Sequence, residues 1–151
     1  IFILVKTSNP SSGELQDLKL ENGQTVYEKV GSLVEEWGKE IIGENGYSNV
    51  AAVVGATYPK QLQELRKIMP HTYFLIPGYG AQGGKAEDIA LGFDEEGIGG
   101  IVNASRSLMC AYKSDLWKDE FDEKDYAKAT RAEAIRMKEE LNQAINGKNK
   151  L

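Results

Sequence analysis

The sequence predicts an α/β fold, namely the C-terminal half of a (β/α)8 TIM barrel, contributing strands five to eight with their helices. Short apolar runs alternate four times with stretches of helical periodicity, which is typical of a parallel sheet covered by helices. Four such units suit either an open doubly wound sheet or half a barrel. A whole barrel needs roughly 250 residues, more than the 151 present.

The four strands are predicted from continuous apolar runs at residues 1–5, 50–55, 73–76 and 100–102. Continuous rather than alternating hydrophobicity indicates strands that are covered on both faces. The chain lacks an initiator methionine and begins inside the first run. We therefore expect an absent N-terminal half that supplies the other strands.

The first two helices are marked by periodicity and by their ends. Apolar residues recur every three or four positions from Val26 to Ile41, which predicts one buried helical face. Thr57 is expected to cap the next helix, with Pro59 in its first turn. Pro70 ends that helix.

Two more helices are predicted in the second part of the chain. A short one covers about residues 86–93. A charged connector at about 113–124 leads to a final helix at about 125–146. We therefore interpret residues 1–151 as one half-barrel of a single domain.

Composition excludes several classes of function. The net charge of −5 argues against a nucleic-acid surface. No apolar run reaches the roughly 18 residues of a membrane span, and nothing indicates secretion, so a cytoplasmic protein is expected. The single cysteine, Cys110, is predicted to be a buried apolar residue, and no Cys/His cluster suggests a metal.

A glycine-rich loop follows the third strand and indicates an anion site. Gly78, Gly80, Gly83 and Gly84 let backbone come close to a ligand and present N–H groups to it. Arg106, just after the fourth strand, supplies a bidentate counter-charge. In a barrel, the loops after strands seven and eight commonly bind phosphate. The pattern therefore predicts a phosphate site.

Two other interpretations are open on the residues alone. Residues 78–83 (GYGAQG) match a dinucleotide-binding fingerprint, but the next strand ends at Asn103 and Arg106 rather than at an acidic residue. Lys6 could be the Schiff-base nucleophile of a class I aldolase, or a surface lysine beside the turn at 9–13.

Four motifs together resemble one family. They are residues 6–12 (KTSNPSS), 53–59 (VVGATYP), 76–84 (IPGYGAQGG) and 101–107 (IVNASRS). In this order, at the ends of successive strands, they resemble the longer bacterial subfamily of orotidine 5′-phosphate decarboxylase. The resemblance covers nearly the whole chain. It also disfavours the aldolase, whose pattern lacks this glycine loop.

The resemblance implies a role for individual residues. Ser8 would contact the pyrimidine ring and Pro77 would line its pocket. Gln82 would bridge phosphate and base. Arg106 would bind the phosphate, together with the N–H groups of Ser105 and Arg106. The family usually has glycine where this chain has Ser105.

The resemblance also implies a reaction. The family converts orotidine monophosphate to uridine monophosphate and CO₂, in pyrimidine biosynthesis, with no cofactor or metal. Its catalytic Lys and Asp-x-Lys-x-x-Asp array has no counterpart at a strand end here, since residues 17–19 and 115–125 lie elsewhere. We therefore expect no catalytic residue in this chain, an inactive chain by itself, and a homodimer when complete. A non-catalytic phosphate-binding half-barrel is the remaining alternative.

Overall fold

The computed structural model describes residues 1–80 and 84–148, which form a sheet of four parallel strands. The strands are β1 (Phe2–Lys6), β2 (Ala51–Val54), β3 (Phe74–Pro77) and β4 (Gly100–Asn103), in the spatial order of the sequence. A doubly wound sheet reverses its order at a switch point, whereas a barrel adds each strand beside the last. The described sheet is therefore the half-barrel that the alternation predicted.

Helices cover one face of this sheet. They are α1 (Gly13–Gln16), α2 (Val26–Gly38), α3 (Pro59–Ile68), α4 (Ala86–Ala90), α5 (Ser105–Met109) and α6 (Tyr126–Lys148). Single 3₁₀ turns occupy Pro10–Ser12, Lys39–Ile41, Ala111–Lys113 and Glu123–Asp125. None of the helices in the described ranges is long and apolar enough to cross a membrane.

Local sequence accounts for most helix ends, with two corrections. Thr25 and Glu28 form a reciprocal capping box at the start of α2. The predicted cap of α3 is wrong, because Tyr58 rather than Thr57 occupies that position and its side chain makes no capping bond. Cys110 is exposed rather than buried, since it ends the short helix α5 at the surface.

The core lies between the sheet and the helices. Val54, Phe74 and Ile76 are fully buried on the helix side, and Leu62 and Leu65 of α3 belong to the same cluster. The opposite face carries the other half of the apolar pattern. There Phe2, Leu4 and Ile101 remain exposed in this chain. In a closed barrel the inward-facing residues of the strands fill the interior in layers.

Arg66 joins the helices to the sheet at the end away from the glycine loop. Its guanidinium donates to four carbonyl oxygens, those of Gly92 (2.8 Å), Met69 (3.0 Å), Thr72 (2.9 Å) and Gly99 (2.8 Å). It also stacks on Phe74, 3.7 Å from the ring centroid. Burial lowers the pKa of Arg66. Because Gly99 directly precedes β4 and Thr72 lies two residues before β3, Arg66 holds the segments that lead into both strands.

Candidate functional site

Residues at the carboxyl ends of the strands, and in the loops just after them, line one depression at this edge of the sheet. It has a volume of about 600 Å³. Ser8, Pro77 and Arg106 reach it from three different strands, with Thr57 from the β2 loop beside them. Parallel strands present all their carboxyl ends at one edge, so residues far apart in sequence converge there.

Close packing holds the β1 and β2 loops together. The N–H of Gly55 donates to the carbonyl of Lys6 over 2.8 Å. A Cβ at Gly55 would lie 3.0 Å from both the Cβ and the backbone N of Ser8, closer than side chains normally approach. The position of Ser8 in the depression therefore depends on a glycine in the neighbouring loop.

The two described ends of the glycine loop are hydrogen-bonded to each other. Gly78 and Gly80 have positive φ angles of 107° and 74°, a conformation that residues with a Cβ rarely adopt. The N–H of Gly84 donates to the carbonyl of Gly78 over 3.2 Å, and a Cβ at Gly84 would lie 2.8 Å from that oxygen. Two residues of the predicted site, Gln82 and Gly83, lie outside the described residues.

A narrow cleft of about 70 Å³ lies between this loop and the start of α5. Gly78, Ser105 and Arg106 line it. Ser105 and Arg106 are exposed in the first turn of α5. Within residues 1–80 and 84–148 no carboxylate pairs with Arg106. A guanidinium without a carboxylate partner, beside backbone N–H groups, is suited to bind an anion.

Lys6 is directed away from this depression by an irregularity in β1. Leu4 pairs with Val53, but Lys6 pairs with the next residue of β2, Val54, so an extra residue is accommodated between them. Val53 lines the depression, whereas Val54 is buried beneath the helices. By alternation Lys6 would share the face of Leu4; the bulge moves it to the helix side.

The side chain of Lys6 is consequently buried rather than on the surface, with 1% exposed. Its Nζ lies 2.8 Å from Oδ1 of Asp17. The rings of Tyr27 and Tyr58 lie 5.4 and 5.0 Å away. The interpretation of Lys6 as a surface residue is therefore wrong. The structure also does not bring this amine to the site, as a Schiff-base nucleophile would require.

Tyr79 is a residue of the glycine loop whose role the sequence pattern did not indicate. Its side chain is buried, and its hydroxyl donates to Oε2 of Glu140 in α6 over 2.5 Å. Burial, followed by this bond and by the Glu140 charge, raises the pKa of Tyr79. An aromatic residue between two glycines is a local feature that the sequence displays. Its partner Glu140 lies 61 positions away, so the pairing itself could not be predicted from the loop.

No cluster of three or more metal-ligating side chains occurs in the part of the chain that the structure describes.

No family model matches the sequence. Individual proteins do match. An orotidine 5′-phosphate decarboxylase of Rhodopirellula baltica is 50% identical over 141 residues, which are 93% of this chain and 46% of that protein. One of Clostridium tetani is 44% identical over 98% of this chain and 49% of its own length.

A solved structure is similar as well. The OMP decarboxylase of Leishmania donovani superposes with a TM-score of 0.69 at 32% identity, over 95% of this chain and 47% of that one. The chain thus spans about half the length of the curated relatives it matches. These similarities confirm the resemblance inferred from the four motifs and the half-barrel fold.

Proposed function

We propose that this chain, a homologue of the orotidine 5′-phosphate decarboxylases, forms about half of such an enzyme and holds the phosphate and pyrimidine of its substrate. The complete enzyme would convert orotidine monophosphate to uridine monophosphate and CO₂ without a cofactor. One observation carries the proposal. Ser8, Pro77 and Arg106 line a single depression in a chain 50% identical to a protein with that name.

Each residue has a chemical task in this proposal. Arg106 and the N–H groups of the first turn of α5 bind the phosphate dianion, and the glycine loop accommodates its oxygens. Gln82 bridges phosphate and base. Ser8 and Pro77 contact the pyrimidine. The phosphate is remote from the bond that breaks, so its binding energy can offset the cost of ordering the reacting groups.

The chemical step belongs to residues outside this chain. In the family a lysine ammonium stabilises the carbanion left by CO₂ and then protonates it, and a second subunit contributes an aspartate. We accordingly propose that the active form is a cytoplasmic homodimer and that this chain alone does not decarboxylate. Stabilisation of the developing charge in a preorganised site is usually the largest contribution to the rate.

The proposal is tested by Arg106→Ala in the full-length decarboxylase that contains this chain. We expect Arg106→Ala to lower kcat/KM for orotidine monophosphate by an amount that corresponds to roughly 2–5 kcal/mol of lost transition-state stabilisation, as for a charged hydrogen-bonded contact. Activity on orotidine, which lacks the phosphate, should hardly change. Arg131→Ala is the matched control, because Arg131 is an exposed arginine on α6. A loss below tenfold would contradict the role of Arg106.

A second measurement separates the decarboxylase from the aldolase. Borohydride reduction in the presence of a phosphorylated aldehyde traps a Schiff base on a reactive lysine. We expect no adduct at Lys6, since its Nζ is buried and paired with Asp17. Recovery of a labelled Lys6 peptide would restore the aldolase interpretation.

A further inference from the structure

The glycine loop is attached to the last helix by a buried tyrosine. Tyr79 lies between Gly78 and Gly80, whose positive φ angles turn the backbone on both sides of it. Its side chain points into the helix layer, where only 5% of the residue is exposed. The hydroxyl donates to Oε2 of Glu140 over 2.5 Å. The loop that lines the anion cleft is therefore hydrogen-bonded to α6 through the side chain of Tyr79.

Glu140 is itself held by Arg136, one turn away on α6. Nη1 of Arg136 donates to the same Oε2 atom over 2.6 Å. Nε and Nη2 of Arg136 donate to the two carboxylate oxygens of Glu133, each over 2.8 Å. Glu133 is buried and also accepts from Nε1 of Trp117 in the charged connector. Spacings of three and four residues place Glu133, Arg136 and Glu140 on one helical face.

A second contact fixes the loop to the same helix. A Cβ at Gly80 would lie 2.8 Å from Oγ of Ser107 and 3.4 Å from Cε of Met137. The backbone at Gly80 thus lies directly against α5 and α6. Two adjoining residues of the loop, Tyr79 and Gly80, contact α6 through different interactions, one polar and one steric.

We propose that the chain Tyr79–Glu140–Arg136–Glu133 positions the glycine loop for phosphate, so that Tyr79 and Glu140 are positioning residues for substrate binding. The inference rests on the proposed function, because it assigns the glycine loop to the phosphate. Tyr79 borders the anion cleft, whereas neither Tyr79 nor Glu140 lines the sheet depression that holds the rest of the proposed substrate site. Their effect is to reduce the conformational entropy that residues 78–80 would otherwise lose when the phosphate binds.

The test compares Tyr79→Phe with wild type in the full-length decarboxylase. The substitution removes one oxygen atom and leaves the buried ring in place. We expect KM for orotidine monophosphate to rise about tenfold with kcat nearly unchanged, the lower end of what a hydrogen bond to a charged group contributes. For orotidine, which has no phosphate, kcat/KM should stay within twofold of wild type.

Tyr47→Phe is the matched control. The hydroxyl of Tyr47 also donates to a carboxylate, that of Asp94. As for Tyr79, burial and the bond to the carboxylate raise the pKa of Tyr47. Asp94 lies between α4 and β4, at the opposite end of the strands from the glycine loop. A general loss of stability would affect both variants alike, whereas lost positioning of the loop would affect Tyr79→Phe only.

Glu140→Gln keeps the test decisive if Tyr79→Phe folds poorly. It retains the shape of the side chain, weakens the bond from Tyr79 and removes the charge facing Arg136. Each variant should weaken binding of uridine monophosphate by about tenfold and leave binding of uridine unchanged, and the double variant should be no weaker than the single ones. Equal KM and equal nucleotide binding in wild type and both variants would overturn the inference.

Failure of the proposed function gives a different result. A wild-type enzyme that does not decarboxylate orotidine monophosphate would refute the function. Calorimetric titration with uridine monophosphate would still decide the inference, since Tyr79→Phe must then weaken nucleotide binding relative to wild type. A wild type that binds neither nucleotide would refute both.

Discussion

The strongest stability prediction concerns Arg66, because a single side chain there satisfies four backbone carbonyls at once. The perturbation is Arg66→Met, which preserves much of the apolar stem and removes every donor. The carbonyls of Thr72 and Gly99, just before β3 and β4, would lose their guanidinium partner. The starting points of β3 and of the neighbouring strand β4 would then be less well defined.

The magnitude follows from the contacts. A hydrogen bond contributes about 1 kcal/mol net, so four give about 4 kcal/mol. Stacking of Arg66 on Phe74 at 3.7 Å adds about 1 kcal/mol. The cost of burying the charge, which lowers the pKa of Arg66, opposes these gains. We expect a net loss of about 3–4 kcal/mol for Arg66→Met. The stability of Arg66→Lys should lie between those of wild type and Arg66→Met, since an ammonium has three donors but lacks the planar geometry of the guanidinium.

The assay is urea unfolding of the full-length protein, followed by circular dichroism, with equal slopes in all variants. Arg131→Met is the control, because Arg131 is exposed on α6 and its replacement should change stability by less than about 0.5 kcal/mol. If Arg66→Met and Arg131→Met unfold at the same urea concentration, the assignment of Arg66 as the tie between helices and strands is refuted.

Three other contacts are testable by single substitutions. Asp17→Ala should lower the free energy of unfolding by about 3 kcal/mol in urea, because it leaves the Lys6 ammonium buried and unpaired. Lys6→Met should cost less, since Asp17 is 43% exposed and can be hydrated. A larger loss for Lys6→Met than for Asp17→Ala would contradict the buried position of Lys6. Gly84→Ala should lower the melting temperature and weaken nucleotide binding, because its Cβ would lie 2.8 Å from the carbonyl oxygen of Gly78; unchanged binding would count against the closed loop. The Arg136 bond lowers the pKa of Glu133 below its usual 4.5, so the carboxylate's stabilising contribution is present above pH 4.5 and is lost as the pH falls through the lowered value. Glu133→Gln should therefore flatten the acid side of the stability profile, and an identical profile in the variant would exclude that contribution.

Much of the fold was predictable because it depends on local patterns. Continuous apolar runs predicted all four strands to within one or two residues, and periodicity predicted α2, α3 and α6. The barrel order followed from the glycine loop and Arg106 after the last two strands. Among the short helices, α4 was predicted, although to about residue 93 rather than Ala90, whereas α1 and α5 were missed. Helices of four or five residues carry few positions from which to establish a period.

The candidate site was predicted in part. Ser8, Pro77 and Arg106 were proposed from motifs at strand ends, and the structure brings them to one depression. Their contacts with substrate remain predictions, as does the role of Gln82. Lys6 illustrates the limit of the pattern, because one bulge in β1 moved it to the opposite side of the sheet. A bulge leaves little trace in the residue types of a strand.

The sequence by itself determined the fold class, the sequence of elements and the residue types at the strand ends, since hydrophobic period, glycine and proline act over a few neighbouring positions. The tertiary structure alone decided which side of the sheet Lys6 faces, which carbonyls Arg66 bonds and that Tyr79 reaches Glu140. Several of these pairings join residues far apart in the sequence, 33 positions for Arg66 with Gly99 and 61 for Tyr79 with Glu140. They depend on how the helices pack against the sheet, where burial makes each unpaired polar group costly and so selects one arrangement.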